Sequence, residues 1–278
     1  MAAIKIPAPA SASHAIADEL LGLLGTRRQI ATFSSRHASF SHAEAYECVE
    51  ITRNAREGRG EMPVGRKIGF TNTTIWEEYG VTGPLWNYMY DSTVHDLAAI
   101  GRSFALAGLP EPRIEPEIAL HLAQAPNSSM DDDALFGCID WIAHGFEIVQ
   151  SVFPGWVFAG NDATAAFGLH GALLLGDRHA IGSDRAGWKQ ELTHFTVGLA
   201  RNGHRVAQGQ ASNVLGGPVQ ALRFLVGELD KMPPSRRLRP GEIVTTGTLT
   251  RAMPAQAGET WTTDFPGSRI KGEKLLFA

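Results

Sequence analysis

Cysteine is scarce in this chain of 278 residues: Cys48 and Cys138 are the two it has, and they form no C-x-x-C pair. Two cysteines cannot build a disulfide framework, so a reducing compartment and buried, inert thiols are expected. Long apolar runs are also missing, since even the most apolar stretch, 165–176, is interrupted by His170 and three glycines. A membrane span needs about 20 apolar residues. Pro7 and Pro9 likewise break any signal-peptide core, so we expect a cytoplasmic protein with no membrane partner.

An excess of positive charge is absent as well. The chain has 25 Lys and Arg against 29 Asp and Glu, a net charge of -4. Without a global positive field, nucleic acid is not an expected partner. Three catalytic signatures are missing too: the H-E-x-x-H zinc helix, the G-x-S-x-G nucleophile elbow and the G-x-G-x-x-G dinucleotide fingerprint. Zinc proteolysis, serine hydrolysis and dinucleotide redox chemistry are therefore disfavoured.

The first 62 residues have the pattern of helices. Ser13 is a candidate cap before apolar residues at helical spacing, namely Ile16, Leu20, Leu21 and Leu24. A second helix is predicted from Ser41 to Glu57, because Ser41 and Glu44 form a capping box and Gly58 follows. We predict a helical N-terminal region over 1–62.

Residues 63–278 have a different sequence pattern, in which short strand-like runs are separated by Gly and Pro. One helix is predicted among them, Pro218–Leu229, and Asn202-Gly203 is typical of a hairpin turn. Helices followed by a strand-rich body indicate an α+β fold with a β-rich catalytic domain over 63–278, and disfavour a doubly wound parallel sheet. The predicted strands are 66–70, 113–122, 145–149, 172–175, 192–201, 204–208 and 242–246.

Two carboxylates share one face of the strand predicted over 113–122. Alternation places Ile114, Pro116, Ile118, Leu120 and Leu122 on the other face. Because Glu115 and Glu117 repel each other and Arg113 is the only cation nearby in sequence, a bound divalent cation would remove an electrostatic cost. The alternative is that Glu115 and Glu117 lie on an ordinary solvent-exposed face of the sheet and bind no metal.

A third carboxylate, Glu147, interrupts the apolar strand predicted over 145–149. A lone buried Glu is costly, which favours either a metal or a salt bridge to a neighbouring Lys or Arg. Three carboxylates suit Mg2+ or Mn2+, whereas zinc or copper prefers imidazole or thiolate. Lys67 faces the same way as Gly69, which leaves room for a ligand. With its pKa lowered by burial and a nearby cation, Lys67 could act as acid or base; the alternative is a surface lysine.

Three motifs in sequence order carry a family resemblance: Lys67-Ile68-Gly69-Phe70-Thr71, Pro112-Arg113-Ile114-Glu115-Pro116-Glu117-Ile118-Ala119 and Phe146-Glu147-Ile148-Val149. Further agreement comes from 168–171, 215–218, 238–244 and 246–248. Together they resemble the fumarylacetoacetate hydrolase superfamily and, within it, the 2-keto-4-pentenoate hydratase (hydratase/decarboxylase) branch. The resemblance covers most of the chain.

The resemblance implies a helical N-terminal region and the family's β-rich catalytic fold. It also implies that Glu115, Glu117 and Glu147 bind Mg2+ or Mn2+, and that Lys67 is the active-site lysine. The implied reaction is hydration of a 2-hydroxy-2,4-dienoate to a 4-hydroxy-2-oxo acid in aromatic meta-cleavage type catabolism, with a small 2-oxo acid as substrate. A homo-oligomer is expected, with a possible complex with a related pathway enzyme.

The chain departs from the family's pattern at Gln150, where many members have Asp, and at 161–165. Asp91 and Thr248 are the candidate substrate contacts, with a pocket expected around Trp86, Tyr90 and Asp91. Two alternatives stay open. One is decarboxylation of a 4-oxalocrotonate-type 2-oxo diacid, which a cation at the far end of the pocket would favour. The other is a catalytically silent partner subunit. Acylpyruvate hydrolysis is disfavoured because no matching His-Glu pair is found.

Overall fold

The computed structural model describes residues 12–37, 39–79 and 81–278. Pro7 and Pro9, on which the localisation prediction partly rests, lie outside the described residues. None of the helices in the described part of the chain is both long and apolar enough to cross a bilayer.

The described chain folds into eight α-helices and thirteen strands. The helices are α1 Ala12–Leu21, α2 Phe33–Arg36, α3 His42–Gly58, α4 Trp76–Tyr79, α5 Asp132–Gly137, α6 Gly160–Ala165, α7 Arg185–His194 and α8 Pro218–Asp230. The strands are β1 Pro63–Gly69, β2 Leu85–Tyr90, β3 Val94–Asp96, β4 Ser103–Phe104, β5 Arg113–Leu122, β6 Ile139–Val149, β7 His170–Ala180, β8 Thr196–Arg201, β9 His204–Gln210, β10 Ile243–Thr245, β11 Met253–Pro254, β12 Thr260–Asp264 and β13 Lys274–Phe277.

The strands form two sheets. The larger has the order β2-β1-β10-β5-β6-β7-β3, with β11 added beside β5, and the smaller has the order β4-β13-β12-β8-β9. Most neighbouring strands are antiparallel; β1–β10, β3–β7 and β4–β13 are parallel. This mixture of helices and largely antiparallel sheets agrees with the α+β prediction.

The core lies on the apolar face predicted for β5. At one end of that face, Ile114 packs with Phe146 of β6 and with Trp261 and Phe277 of the smaller sheet. Towards the other end, Leu120 joins a cluster that includes residues of α7 and α8. Because alternate residues of a strand point to opposite sides, this packing directs Glu115 and Glu117 to the other face of the sheet.

The N-terminal helices form largely as predicted. In α3, Ser41 and Glu44 make both hydrogen bonds of the capping box. Ser13, however, lies within α1 and does not cap it; its hydroxyl is buried and donates to Glu47 Oε2 at 2.7 Å. The N-terminal helices share a core with 149–169, where the rings of Phe33 and Phe153 pack edge to face. A boundary at residue 62 stays a prediction.

One predicted strand begins too early. Residues 192–194 belong to α7, and β8 starts at Thr196. Asp184 caps α7 by accepting from Gly187 N at 3.1 Å, and Trp188 and Leu192 bury one helical face. Several helices, and not one, therefore interrupt the strand-rich part. The hairpin at Asn202-Gly203 is confirmed, since both residues have positive φ, 51° and 81°.

Candidate active site

The antiparallel pairing of β5 and β6 brings the three glutamates together. Glu115 lies directly opposite Glu147, and Glu117 lies opposite Gly145. Carboxylate oxygens of the three residues fall within 4.8 Å of one another. Glu147 and Glu117 are 0% and 1% exposed, while Glu115 is half-buried. The interpretation of Glu115 and Glu117 as a solvated surface pair is therefore wrong for Glu117.

Two of the carboxylates are fixed by hydrogen bonds that use one oxygen each. Glu117 Oε2 accepts from the backbone N–H of Gly247 at 3.0 Å, and Glu147 Oε1 accepts from His170 Nδ1 at 2.8 Å. The second oxygens, Glu117 Oε1 and Glu147 Oε2, are both buried; Glu117 Oε1 has no hydrogen-bond partner within the described chain, whereas Glu147 Oε2 lies 3.3 Å from the ammonium group of Lys67. Buried polar atoms are rarely left unsatisfied. The donor set, made of oxygen alone, fits a hard divalent cation.

Electrostatics explain why the cluster suits a cation. Burial raises the pKa of Glu115 to about 7, with Lys67 opposing and Glu147 adding to the shift. Burial and the carboxylates of Glu147 and Glu115 raise the pKa of Glu117 well above its usual range. Burial also disfavours the charge of Glu147, but Lys67 and His170 outweigh it and lower the pKa of Glu147. A divalent cation would allow all three groups to ionise together.

Lys67, which is on β1, lies beside the three glutamates. Its ammonium group donates to the carbonyl of Gly168 at 2.9 Å and lies 3.3 Å from Glu147 Oε2. A Cβ on Gly69 would lie 3.3 Å from Lys67 Nζ, and one on Gly168 would lie 3.1 Å from Lys67 Cδ and 2.8 Å from Asn87 Cβ. The two glycines therefore leave the space in which the lysine chain runs.

The pKa of Lys67 differs from the prediction. Burial favours the neutral amine, but the carboxylates of Glu147, Glu115 and Glu117 outweigh burial and raise the pKa of Lys67 above its ordinary value. Burial acts in the predicted direction but is outweighed because three carboxylates face one lysine, and the lowering expected from a nearby cation stays a prediction. The side chain is 3% exposed, so the interpretation as a surface lysine is also wrong.

Lys67 and Glu115 line the same cavity. Its wall mixes apolar and charged groups, and Thr248, a predicted substrate contact, belongs to it. The other lining residues are Gly69, Phe70, Thr71, Asn72, Ile75, Arg113, Val149, Trp156, Gly168, Leu169, Arg251 and Ala252. A small molecule with an acidic end and a short apolar chain fits this chemistry.

Asp91 is not brought to the cavity. Its side chain is exposed, and its Oδ1 accepts from the backbone N–H of Met62 at 3.0 Å. The cause is the β1–β2 register, which places Asn87 beside Lys67 and puts Asp91 beyond the far end of β2. Trp86 and Tyr90 are buried in the core, so the pocket expected around these residues is corrected to the one around Thr248.

The sequence analysis missed the role of His170. Its ring is buried between Glu147 and Thr93: Nδ1 lies 2.8 Å from Glu147 Oε1, and Nε2 lies 3.0 Å from the hydroxyl oxygen of Thr93. Burial lowers the pKa of His170. A histidine inside the apolar stretch 165–176 was the available signal. Gln150, one of the departures, donates to the His170 carbonyl at 3.0 Å.

Asp162 has a structural role. It lies in the segment 161–165, which also departs from the family's pattern. It is 0% exposed and accepts from the backbone N–H and hydroxyl of Ser34 at 2.9 and 2.6 Å, and from Ala159 N at 2.9 Å. These bonds cap α6 and attach α2 to it. Asp162 therefore supports the local fold and is not part of the carboxylate cluster.

The chain is similar in sequence to curated dienoate hydratases and similar in fold to solved structures that include a putative fumarylacetoacetate hydrolase family protein. No family model matches the chain. It is 29% identical over 240 residues to 2-hydroxyhexa-2,4-dienoate hydratase from Comamonas testosteroni, covering 85% of this chain and 87% of the relative. It is 27% identical over 224 residues to 2-keto-4-pentenoate hydratase from Paraburkholderia phymatum, covering 80% and 82%.

Among solved structures, 4-oxalocrotonate decarboxylase from Pseudomonas putida G7, complexed with magnesium and adipate, has a TM-score of 0.85. The two chains are 21% identical, and the match covers 96% of this chain and 97% of that one. This similarity shows a shared fold. The comparisons confirm the resemblance to the superfamily and to its 2-keto-4-pentenoate hydratase branch.

Proposed function

We propose that this chain is a metal-dependent hydratase, a lyase that adds water to a 2-hydroxy-2,4-dienoate of the 2-keto-4-pentenoate type. The product is a 4-hydroxy-2-oxo acid, and the setting is aromatic meta-cleavage type catabolism. The observation that carries the proposal is the convergence of Glu115, Glu117 and Glu147 beside Lys67, next to a cavity that Lys67 and Glu115 line. The relatives named as dienoate hydratases support the reaction class.

Glu115, Glu117 and Glu147 would hold Mg2+ or Mn2+. Support comes from the all-oxygen donor set, from the buried Glu117 Oε1, which has no hydrogen-bond partner among the described residues, and from the magnesium in the decarboxylase structure. When bound, such an ion supplies Lewis acidity that stabilises negative charge on the 2-oxo oxygen of the substrate.

Lys67 is the proposed acid–base group. Its hydrogen bond to Gly168 and its ion pair with Glu147 hold the ammonium at the cavity wall. From there it can donate a proton to the substrate or orient water for addition. Thr248 places a hydroxyl in the same cavity for hydrogen bonding to the substrate, and Phe70, Val149 and Leu169 provide an apolar wall for the carbon chain.

We also propose that the protein works in the cytoplasm as a homo-oligomer, with a possible complex with a related pathway enzyme. Both cysteines are free and buried, which suits a reducing compartment. Light scattering of the purified protein measures the assembly: a mass above that of one chain is expected, and a monomer contradicts the oligomer.

The test is a paired ultraviolet and product assay with 2-hydroxypenta-2,4-dienoate. The metal-stripped protein is assayed first, then the protein with Mg2+ or Mn2+ restored, and 4-hydroxy-2-oxopentanoate is scored directly because loss of absorbance alone can be tautomerisation. Metal-dependent product that disappears in Glu117→Gln is expected. Release of CO2 from a 4-oxalocrotonate-type diacid without hydrated product would assign decarboxylation instead. Failure to bind metal would favour the silent partner subunit.

A further inference from the structure

His144 is a buried polar residue of β6 that the proposed chemistry does not use. It is 1% exposed and lies directly opposite Ile118 of β5. Nδ1 of the ring lies 3.0 Å from the main-chain oxygen of Glu117, and Nε2 lies 2.8 Å from the hydroxyl oxygen of Thr263 in β12. One imidazole ring therefore joins a strand of the metal site, in the larger sheet, to the smaller sheet.

The positions of the hydrogen atoms in this contact follow from its two ends. A carbonyl oxygen can only accept, so Nδ1 of His144 carries a hydrogen and donates it to Glu117. At the other end, the main-chain N–H of Glu273 donates to the hydroxyl oxygen of Thr263 at 2.9 Å, which leaves the hydroxyl hydrogen for Nε2. Burial lowers the pKa of His144 to about 4, in agreement with a neutral ring. Both ring nitrogens thus have partners of the matching kind.

Thr263 is itself firmly anchored. It exchanges two hydrogen bonds with Glu273, because the main-chain N–H of Thr263 also donates to the Glu273 carbonyl at 2.9 Å. The side chain of Glu273 is buried, and its Oε1 accepts from the main-chain N–H of Asp177 in β7 at 2.9 Å. The hydroxyl that holds His144 is therefore tied to its own strand and, through Glu273, back to the larger sheet.

Glu117 is held at two points as a result. Its carboxylate Oε2 accepts from the N–H of Gly247, and its main-chain oxygen accepts from His144. The rings of Phe146 and Phe265 pack edge to face against the imidazole, with centres 5.3 and 4.8 Å away, and keep it in place. The carbonyl carbon of Glu117 is bonded to the Cα that carries the carboxylate, so a displaced carbonyl moves the carboxylate too.

The accuracy of this position matters more for some cations than for others. Mg2+ requires near-ideal octahedral geometry with ligands at about 2.0–2.1 Å, whereas Ca2+ takes about six to eight oxygens at about 2.3–2.6 Å in flexible arrangements. Loosening the main chain of Glu117 would therefore weaken binding of Mg2+ more than binding of Ca2+.

We propose that His144, held by Thr263, is a positioning residue that fixes the main chain of Glu117 and thereby sets the preference of the site for Mg2+ over larger divalent cations. The proposal rests on the proposed function for the metal site itself. His144 acts through Glu117 and contacts neither the cation nor the substrate. It differs in this from His170, which contacts a carboxylate directly.

The experiment compares two variants of the residue that holds the ring, Thr263→Val and Thr263→Ser. Valine keeps the shape of threonine without the hydroxyl, whereas serine keeps the hydroxyl. Calorimetric titration of the metal-stripped proteins should show Mg2+ binding to Thr263→Val weakened by about tenfold, the lower end of the effect of an outer partner, and Ca2+ binding weakened by no more than about threefold. Thr263→Ser should keep most of the wild-type ratio of the two affinities.

The matched control is Thr262→Val, at the preceding residue of β12. Alternate residues of a strand point to opposite faces, so the side chain of Thr262 points away from His144. This variant should leave both affinities unchanged. His144→Asn, which can place an amide N–H near the position of Nδ1 but is too short to reach Thr263, should lose part of the Mg2+ preference. Thermal unfolding in EDTA measures the stability of each variant separately.

A wild-type ratio of Mg2+ to Ca2+ affinity in folded Thr263→Val would overturn the proposal, even if that variant unfolds at a lower temperature, because the contact would then serve packing alone. Equal losses of both affinities would overturn it as well. A check that needs no variant is neutron diffraction from a crystal of the wild-type protein, which should place a hydrogen on Nδ1 of His144. A hydrogen on Nε2 alone would contradict the bond to Glu117.

These outcomes are separate from the test of the reaction, because the titrations contain no substrate. A shifted ratio without any hydrated product would support the positioning role and contradict the proposed reaction. Metal-dependent hydration with an unshifted ratio would do the reverse. A wild-type protein that binds neither cation would overturn the metal site and the positioning role together.

Discussion

Glu115 and Glu147 lie directly opposite each other on β5 and β6, and an ordinary antiparallel sheet would avoid this pairing of like charges. Glu117 adds a third carboxylate, buried and within reach of the same point. The repulsion is partly offset by Lys67, whose ammonium lies 3.3 Å from Glu147 Oε2. One cation cannot balance three anions, so the structure predicts that metal binding and stability are linked at this site.

The variant Glu117→Gln should separate those two effects. The amide oxygen can still accept from Gly247 N, but one ligand charge is lost, so affinity for Mn2+ should fall by about a hundredfold or more. In EDTA the same variant should unfold at a temperature equal to or above that of the wild type, because one repelling carboxylate is gone. Calorimetric titration and thermal unfolding measure the two quantities.

The control for this variant is Glu57→Gln, at a carboxylate that pairs with Arg53 at 2.9 Å in α3. It should leave Mn2+ affinity unchanged. Wild-type Mn2+ affinity in Glu117→Gln would show that Glu117 is not a ligand.

The variant Lys67→Met should retain metal binding and lose activity. Methionine fills a similar volume without an ammonium group, so turnover should fall by about a hundredfold or more, the usual contribution of a general acid or base. The measurement pairs the product assay with Mn2+ titration. Lys189→Met, at a lysine paired with Asp133 away from the cavity, is the control. Wild-type turnover in Lys67→Met would end the proposed role of this residue.

The hydrogen bond from His170 to Glu147 should contribute to metal affinity. Outer partners of this kind orient a ligand, and their loss typically costs about ten- to a hundredfold in affinity. We expect His170→Ala to weaken Mn2+ binding within that range. His170→Asn, which can place an amide N–H near the position of Nδ1, should recover part of it. Unchanged Mn2+ affinity in a folded His170→Ala would assign the histidine to packing alone.

The thiol of Cys48 should make stability depend on alkaline pH. Burial raises the pKa of Cys48 to about 12, against an ordinary value of 9.0. Between these values the unfolded chain releases a proton that the folded chain keeps, so the free energy of unfolding falls as pH rises above 9.0. The stability of the wild type relative to Cys48→Ala should decrease by about 1.4 kcal/mol per pH unit there.

Urea unfolding at pH 8 and pH 10 measures this difference. Cys138→Ala is the matched comparison. Burial raises the pKa of Cys138 as well, so the stability of the wild type relative to this variant should also decrease as the pH rises. A difference between wild type and Cys48→Ala that stays constant over this pH range would contradict the assignment of a protonated, buried thiol.

Local patterns were sufficient for much of the fold. Strand β5 has the bounds predicted from its alternation, and α3 begins at the predicted capping box. Both patterns act over a few residues, through side-chain direction and a reciprocal cap. The stretch before β8 was predicted wrongly, because α7 is stabilised by its cap at Asp184 and by the burial of Trp188 and Leu192, and the helical period was overlooked.

The candidate site divides in the same way. The sequence by itself determined that Glu115 and Glu117 share a face, because alternation along one strand is a local property. The same alternation placed Gly69 on the same strand face as Lys67. Only the tertiary structure decided that Glu147 faces Glu115, that His170 holds Glu147 and that Asp91 lies away from the cavity. These relationships depend on strand register and on packing between distant segments, which the burial of the whole sheet sets.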